Sequence, residues 1–248
     1  FPTAYAQTPA EYLEKGLVLH DALRNSELIT TSFAPHAPYT VSDGPLEKIR
    51  TVNNELNLPV HIHLHETADE VAESVRRHGQ RPIARLDRLG LVTERLIAVH
   101  AVHLEAAEIA LLAQRGASVA HCPASNLKLG SGIAPVAELL AAGVNIGFGT
   151  DGAASNDRLD MVSEMRLAAL LAKGASRDPS VLPAPAALEA ATLSGARALG
   201  LERRIGSIEV DHMRKKGYPA EFSVGLSASS ALISPIMPPS IPAVVYVS

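Results

Sequence analysis

Apolar residues alternate with three histidines in the stretch from residue 60 to residue 67. It reads Val60-His61-Ile62-His63-Leu64-His65-Glu66-Thr67. A period of two predicts a half-buried strand with the three imidazoles on one face. Buried imidazoles and carboxylates need polar partners, and neutral imidazole is a favoured zinc ligand. The run therefore favours a metal site, with hydrogen-bonded histidines in a polar barrel interior as the alternative.

Short apolar runs ending in polar or ionisable residues alternate with helical patterns along the chain. Strands are predicted at 29–34, 60–64, 96–100, 117–123 and 144–152, and helices at 9–23, 42–57, 68–78, 81–89, 104–115, 134–142, 159–173 and 184–199. This alternation predicts a parallel sheet with crossover helices, and (β/α)₈ barrels place their chemistry at the carboxyl ends of the strands. A doubly wound sheet is the alternative, although it concentrates a site at one switch point.

Composition narrows the class of protein. The 248 residues are 47% hydrophobic and 19% charged, which is enough for a sizeable core. The net charge of −4 offers no basic patch for nucleic acid. The single cysteine, Cys122, cannot form an internal disulfide, and the first residues lack a signal-peptide pattern. We therefore expect a cytoplasmic location and no nucleic-acid partner.

Four side chains at the predicted strand ends could build a hydrolytic centre. His63 and Asp151 could bind one divalent metal through nitrogen and oxygen, and such a metal activates water. Glu66 could carry a proton between water and a substrate nitrogen. His100 could hold the nucleophilic water, and Asp151 could accept its proton.

Five motifs resemble those of the amidohydrolase superfamily, and more narrowly the 5-methylthioadenosine/S-adenosylhomocysteine deaminases and the triazine hydrolases. They lie at residues 34–39, 63–67, 98–104, 121–129 and 149–156. The resemblance covers about residues 1–210. It implies an α/β fold, a partial (β/α)₈ barrel that holds about the last five strands and lacks the first strands and the β-sandwich domain.

The resemblance implies a role for each candidate residue. His63 and Asp151 would be zinc ligands, and Asp151 would also accept a proton and contact substrate. Glu66 would bind and protonate a purine ring, and His100 would orient the attacking water. The implied reaction is zinc-dependent hydrolytic deamination of an adenosine-type nucleoside, which releases ammonia.

Substrate contacts and alternatives also follow from the resemblance. His36 and Ser155 would contact a small-molecule nucleoside, and the protein could be a homo-oligomer. A triazine or another purine-like ring is the alternative substrate. The family takes two more zinc ligands from a His-x-His motif on its first strand, and no such strand precedes residue 36 here. A catalytically inactive, truncated or fused remnant is therefore the alternative from another class.

The last segment departs from the family pattern. Residues 222–248 carry no charge, and 211–248 resembles the large membrane subunit of tripartite ATP-independent transporters. We therefore predict two parts, a barrel at 1–210 and a foreign apolar tail at 211–248. A membrane partner, or a role as a transporter component, would depend on that tail, whose prolines disfavour a simple spanning helix.

Overall fold

The computed structural model describes residues 3–26 and 29–203, together with the backbone of 246–247. The helices are α1 (Pro9–Leu23), α2 (Asp43–Leu56), α3 (Ala68–His78), α4 (Pro82–Arg88), α5 (Ala106–Arg115), α6 (Pro123–Lys128), α7 (Val136–Ala141), α8 (Met161–Ser176), α9 (Ala184–Ala191) and α10 (Leu193–Ala198). The strands are β1 (Ile29–Thr30), β2 (Val60–Leu64), β3 (Leu96–His100), β4 (Ser118–His121), β5 (Asn145–Phe148) and β6 (Tyr246–Val247).

A parallel sheet with the strand order β2-β3-β4-β5 organises the fold. Residues 33–36 run beside β2 in parallel, because Phe33 bridges Val60 and the amide of His63 donates to the carbonyl of His36 at 3.1 Å. Neighbouring strands follow one another in chain order with helices between them. The described sheet therefore has no reversal of strand order, which argues against a doubly wound fold. The predicted α/β architecture is confirmed.

Helix α3 shows how local sequence sets the element bounds. The hydroxyl of Thr67 accepts the amide of Glu70 at 3.1 Å and caps the first turn. Basic residues lie in the last turn, where they complement the helix dipole. Gly79 ends the helix with φ at 68°, a left-handed conformation that glycine adopts without steric cost. The predicted bounds, 68–78, are confirmed.

Two helical features differ from the sequence-based expectation. Helix α6 was not predicted, because six residues are too few to show a hydrophobic period after Pro123. The helix predicted at 184–199 is divided into α9 and α10 at Thr192, whose φ of −132° and ψ of −88° are not helical.

The core lies between the sheet and the helices that cover it. Ile62 and Leu64 of β2 belong to one buried apolar cluster with Leu46 of α2, Leu86 of α4 and Leu112 of α5. Side chains alternate along a strand, so His61 and His63 lie on the opposite face of β2. The imidazoles are therefore on the face of the sheet that these helices do not cover.

The terminal segment enters the described structure only at β6. Its backbone pairs antiparallel with β1, with Ile29 opposite Val247 and Thr30 opposite Tyr246. The remainder of the predicted tail, 211–245 and 248, lies outside the described residues. Among the helices of the described ranges, none has the length and apolar character needed to cross a membrane.

Candidate active site

The carboxyl ends of the parallel strands bring a row of imidazoles together. The ring centroid of His63 lies 4.9 Å from that of His36 and 5.2 Å from that of His100. Each histidine comes from a different strand or strand-like segment. The prediction that successive strand ends share one site is supported by this clustering.

His63 presents a ring nitrogen that no described residue satisfies. Its Nε2 atom is buried and has no hydrogen-bond partner among those residues. Burial, with His100 and His36 nearby, lowers the pKa of His63 to about 3. A neutral imidazole with a buried lone pair is suited to binding a divalent metal.

His100 and Glu66 face each other at the end of β3. His100 is 1% exposed, and its Nε2 atom lies 3.7 Å from Oε2 of Glu66. On the other side of the ring, Nδ1 lies 2.8 Å from Oδ1 of Asn126. The hydroxyl of Ser131 lies 3.5 Å from Oε1 of Glu66. An imidazole and a carboxylate at this separation can act together in proton transfer.

Asp151 follows β5 and is held by three donors. The hydroxyls of Ser125 and Ser155 both donate to Oδ2 at 2.6 Å, and the amide of Gly152 donates to Oδ1 at 2.7 Å. Burial raises the pKa of Asp151, but these hydrogen bonds outweigh burial and hold the pKa below its usual value. The carboxylate is therefore charged and can act as a metal ligand or as a proton acceptor.

Left-handed backbone recurs at the ends of these strands. The φ angles are 56° at His65, 74° at His100, 50° at Ala101 and 60° at Asp151. Non-glycine residues adopt this conformation at a cost of about 1–3 kcal/mol each, and such strain concentrates at functional sites. Two of these four residues, His100 and Asp151, are predicted site residues.

His65 departs from the expectation that all three strand histidines share a face. It lies beyond the last residue of β2, where φ is 56°. Its Nδ1 atom donates to the carbonyl of His103 at 3.0 Å, and its Nε2 atom accepts the amide of Ile83 at 3.1 Å. The expectation is therefore wrong for His65, because the strand ends at Leu64 and the backbone turns.

Glu70 supports the backbone beside a predicted site residue, a role that sequence reasoning missed. Its carboxylate accepts the amide of His65 at 3.1 Å and the amide of Glu66 at 2.7 Å. Burial raises the pKa of Glu70 to about 7, although the hydrogen bonds from both amides oppose that shift. In the sequence, Glu70 resembles an ordinary acid of a first helical turn. In the fold, it holds the turn that carries Glu66.

Glu70 predicts a measurable pH dependence of stability. Its folded-state pKa of about 7 exceeds the ordinary 4.5, so the folded protein retains a proton that the unfolded chain loses. The stability that Glu70 contributes is fully present below pH 4.5 and is lost as the pH rises through 7. From pH 4.5 to pH 7, the free energy of unfolding of wild type should fall by about 3 kcal/mol relative to that of Glu70→Gln.

Urea denaturation of wild type and Glu70→Gln from pH 4.5 to pH 8 measures this difference. The two proteins share every other titrating group. The informative quantity is therefore how the difference between their free energies of unfolding changes with pH. Stability curves that run parallel across that range would contradict the prediction.

The segment that carries His36 is fixed by a buried arginine. Nδ1 of His36 lies 2.9 Å from the hydroxyl of Thr40. Arg85, 1% exposed, donates to Oδ1 of Asp43 at 2.7 Å, to the carbonyl of Val41 at 2.9 Å and to the carbonyl of Pro38. Sequence reasoning missed Arg85, because nothing in a helix pattern marks a long-range partner.

Ser125 and Asn126 of α6 contact two of the predicted site residues. Ser125 donates to Asp151, and Asn126 contacts His100. Ser155, predicted to line the substrate pocket, also donates to Asp151.

The described residues do not complete a metal site. Within 3–26 and 29–203, no three His, Cys, Asp or Glu side chains form a group that could hold a metal ion. His63 and Asp151 remain a pair of predicted ligands, and a catalytic zinc usually takes about three protein ligands.

A cavity of about 490 Å³ lies to one side of this cluster. Its walls come from α1, the segment 31–36 and the first half of α2. His36 is the candidate site residue that contributes to the cavity wall. The other candidate site residues lie at the strand ends rather than in the wall of this cavity.

Comparison with known proteins identifies the family. The Amidohydrolase family model matches residues 8–224. A curated 5-methylthioadenosine/S-adenosylhomocysteine deaminase of Teredinibacter turnerae is 51% identical over 209 residues, which cover 84% of this chain and 47% of that protein. This chain belongs to the amidohydrolase family, as the five motifs predicted.

Two solved structures share the fold. A zinc-bound adenosine deaminase from Xanthomonas campestris is 58% identical with a TM-score of 0.83, over 84% of this chain and 48% of that one. An atrazine chlorohydrolase from Arthrobacter aurescens, complexed with zinc, is 28% identical with a TM-score of 0.70, over 81% of this chain and 45% of that one. This chain therefore spans about half the length of the relatives it matches.

The family match also bears on the predicted tail. It continues past the expected boundary at 210 and reaches residue 224. The comparisons do not support the resemblance of 211–248 to a transporter subunit. The division of the chain at 210 stays a prediction.

Proposed function

We propose that this chain contributes to a zinc-dependent aminohydrolase that deaminates an adenosine-type nucleoside of the 5-methylthioadenosine/S-adenosylhomocysteine class. One observation carries the proposal, namely the grouping of His63, His100 and Glu66 at one edge of the sheet, with an unsatisfied nitrogen on His63. The 51% identity to a deaminase of that name supports the substrate class.

The residues fit a divalent metal in part. His63 would bind it through its buried, unsatisfied nitrogen, and Asp151 through its charged carboxylate. When bound, zinc lowers the pKa of a water molecule toward neutrality and so provides a nucleophile. The zinc-bound relatives support zinc as the metal.

The side chains of this chain would move the protons. Asp151 takes one proton from the attacking water, whose oxygen bonds to the amino-bearing ring carbon, while Glu66 protonates the adjacent ring nitrogen. Asp151 then passes its proton to the departing amino group, the carbon–nitrogen bond breaks, and ammonia leaves. The remaining hydroxyl proton returns to Glu66. His100 orients the water beside Glu66.

His36 and Ser155 are proposed to contact the substrate. The ring of His36 packs edge-on against the ring of His63, and its Nδ1 atom lies beside the hydroxyl of Thr40. The hydroxyl of Ser155 donates to the Asp151 carboxylate, so a substrate that contacts Ser155 would also lie close to Asp151.

Replacing His63 with alanine tests the metal assignment. Wild type is expected to retain about one zinc per chain after dialysis against a weak chelator, and His63→Ala is expected to lose it, because its ligand nitrogen is removed. Elemental analysis measures the zinc content. His78→Ala is the matched control, because His78 is an exposed residue at the end of α3.

Ammonia release from 5-methylthioadenosine and chloride release from atrazine then separate the candidate reactions. Deamination of 5-methylthioadenosine, with atrazine left unchanged, supports the nucleoside assignment, and turnover of atrazine alone would replace it with the triazine alternative. Zinc retained equally by wild type and His63→Ala would overturn the ligand assignment. Wild type that holds no zinc and releases no ammonia would favour the inactive remnant.

A further inference from the structure

We propose that Asn126 is a positioning residue that fixes the ring hydrogen of His100 on Nδ1 and leaves Nε2 as an acceptor facing Glu66. The inference rests on the proposed function for its catalytic meaning, because the role of His100 there is to orient water. The hydrogen position itself is a property of the folded chain and can be measured without any reaction.

Geometry at the His100 ring supports this assignment. Oδ1 of Asn126 lies 2.8 Å from Nδ1, and both side chains are 1% exposed. An amide oxygen carries no hydrogen, so the hydrogen of this bond belongs to the imidazole. In a neutral ring, a hydrogen on Nδ1 makes Nε2 an acceptor.

Asn126 is held firmly enough to impose that choice. The backbone amide of Asn126 donates to the carbonyl of Cys122 at 3.0 Å, and its backbone carbonyl accepts the amide of Ser131 at 2.8 Å. Near the start of α6, the amide of Ala124 donates to Oε2 of the buried Glu164 at 3.1 Å. Backbone bonds on both sides of Asn126 thus fix the position of its side chain.

The opposite orientation of the amide would reverse the assignment. Nδ2 of Asn126 is buried and has no partner among the described residues. Rotating the amide would place its N–H against Nδ1 and move the ring hydrogen to Nε2. The two orientations therefore make opposite predictions about His100.

An acceptor at Nε2 has a consequence for the site. Nε2 and Oε2 of Glu66 are 3.7 Å apart, and a carboxyl group accepts hydrogen bonds and, when protonated, also donates one. An unprotonated Nε2 can therefore accept a hydrogen from Glu66 itself or from a third group, such as a water molecule that contacts both side chains. A hydrogen on Nε2 would instead point at the carboxyl group of Glu66 and would occupy the space where such a donor binds. The Asn126 contact thus reserves the space between His100 and Glu66 for a donor.

Nitrogen NMR of the whole chain tests the hydrogen position. With ¹⁵N-labelled histidine, two-bond ¹H–¹⁵N spectra distinguish a protonated ring nitrogen from an unprotonated one, and His100→Gln assigns the signals. Wild type is expected to show a protonated Nδ1 and an unprotonated Nε2. A wild-type His100 protonated at Nε2 alone would overturn the proposal, whatever the variants do.

Two substitutions show whether Asn126 is the cause. Asn126→Leu removes the acceptor and should shift the population toward hydrogen on Nε2, whereas Asn126→Asp keeps an acceptor and should retain hydrogen on Nδ1. Asn54→Leu, at an exposed position of α2, is the matched control. An unchanged His100 spectrum in a folded Asn126→Leu protein would contradict the assignment.

Activity then tests the catalytic meaning. Asn126→Leu is expected to lower kcat for 5-methylthioadenosine about 10–100-fold with little change in KM, and Asn126→Asp should recover part of the loss. If wild type lacks deaminase activity while its Nδ1 is protonated, the proposed function fails and the positioning by Asn126 stands. If wild type is active while the ring hydrogen of His100 is on Nε2, the proposed function stands and the positioning by Asn126 fails.

Discussion

Replacing Glu66 with glutamine is expected to lower kcat for deamination of 5-methylthioadenosine by about 10²–10⁴-fold. Glutamine has nearly the same shape but cannot donate a carboxyl proton to the ring nitrogen. The substitution also replaces the carboxyl group whose Oε2 atom lies 3.7 Å from Nε2 of His100. KM should change much less than kcat, because the lost interaction acts mainly in the transition state.

The matched control for this experiment is Glu55→Gln. Glu55 lies near the end of α2 and is exposed, so the substitution changes the same chemical group away from the site. Ammonia release at saturating substrate measures kcat for both variants. A Glu66→Gln enzyme that retains more than about a tenth of wild-type kcat would remove Glu66 from the proposed proton transfers.

Replacing Arg85 with methionine is expected to lower the free energy of unfolding by about 3 kcal/mol. Methionine fills much of the same space but leaves the carbonyls of Pro38 and Val41 without their donor and Asp43 without its buried partner. The Arg85 side chain is buried whereas that of Asp43 is 37% exposed, so most of the cost comes from the two carbonyls that lose their hydrogen-bond donor.

Arg88→Met provides an internal comparison for this effect. Arg88 also pairs with Asp43, at 2.8 Å, but its side chain is 50% exposed. Solvent-exposed pairs contribute little, so this variant should lose less than about 1 kcal/mol. Urea denaturation of the two variants measures both effects. Equal losses in the two would show that burial of Arg85 does not matter.

The substitution of Arg85 is also expected to affect substrate binding. It holds residues 38 and 41, which follow His36 in the segment beside β2. A folded Arg85→Met protein should therefore bind substrate more weakly through a displaced His36, and its KM should rise more than its kcat falls. The same measurement on Arg88→Met should give values close to wild type.

Local sequence was enough to predict most of the helices and the strands of the parallel sheet. The caps of α3 lie within a few residues of the helix they end, and the period of 60–64 identifies β2 from adjacent side chains. His63, His100 and Asp151 were predicted to share a site because parallel strands align their carboxyl ends. Each of these inferences uses neighbours in the chain or a general rule of strand order.

The partners of those residues were decided by the tertiary structure. Asn126 lies 26 residues from His100, and Arg85 lies 42 residues from Asp43. Glu70 resembled a solvent-facing helix residue until the turn at His65 brought two backbone amides onto its carboxylate.

The sequence by itself thus determined the family, most of the helices and the strands of the parallel sheet, and it placed the candidate site residues at the ends of those strands. Only the tertiary structure decided that His65 turns away from the shared face, that Asn126 contacts His100, and that Ser125 and Ser155 contact Asp151. The physical reason is that backbone propensity and periodicity act over a few residues. Hydrogen-bond partners, burial and pKa values depend on which distant segments the fold brings together.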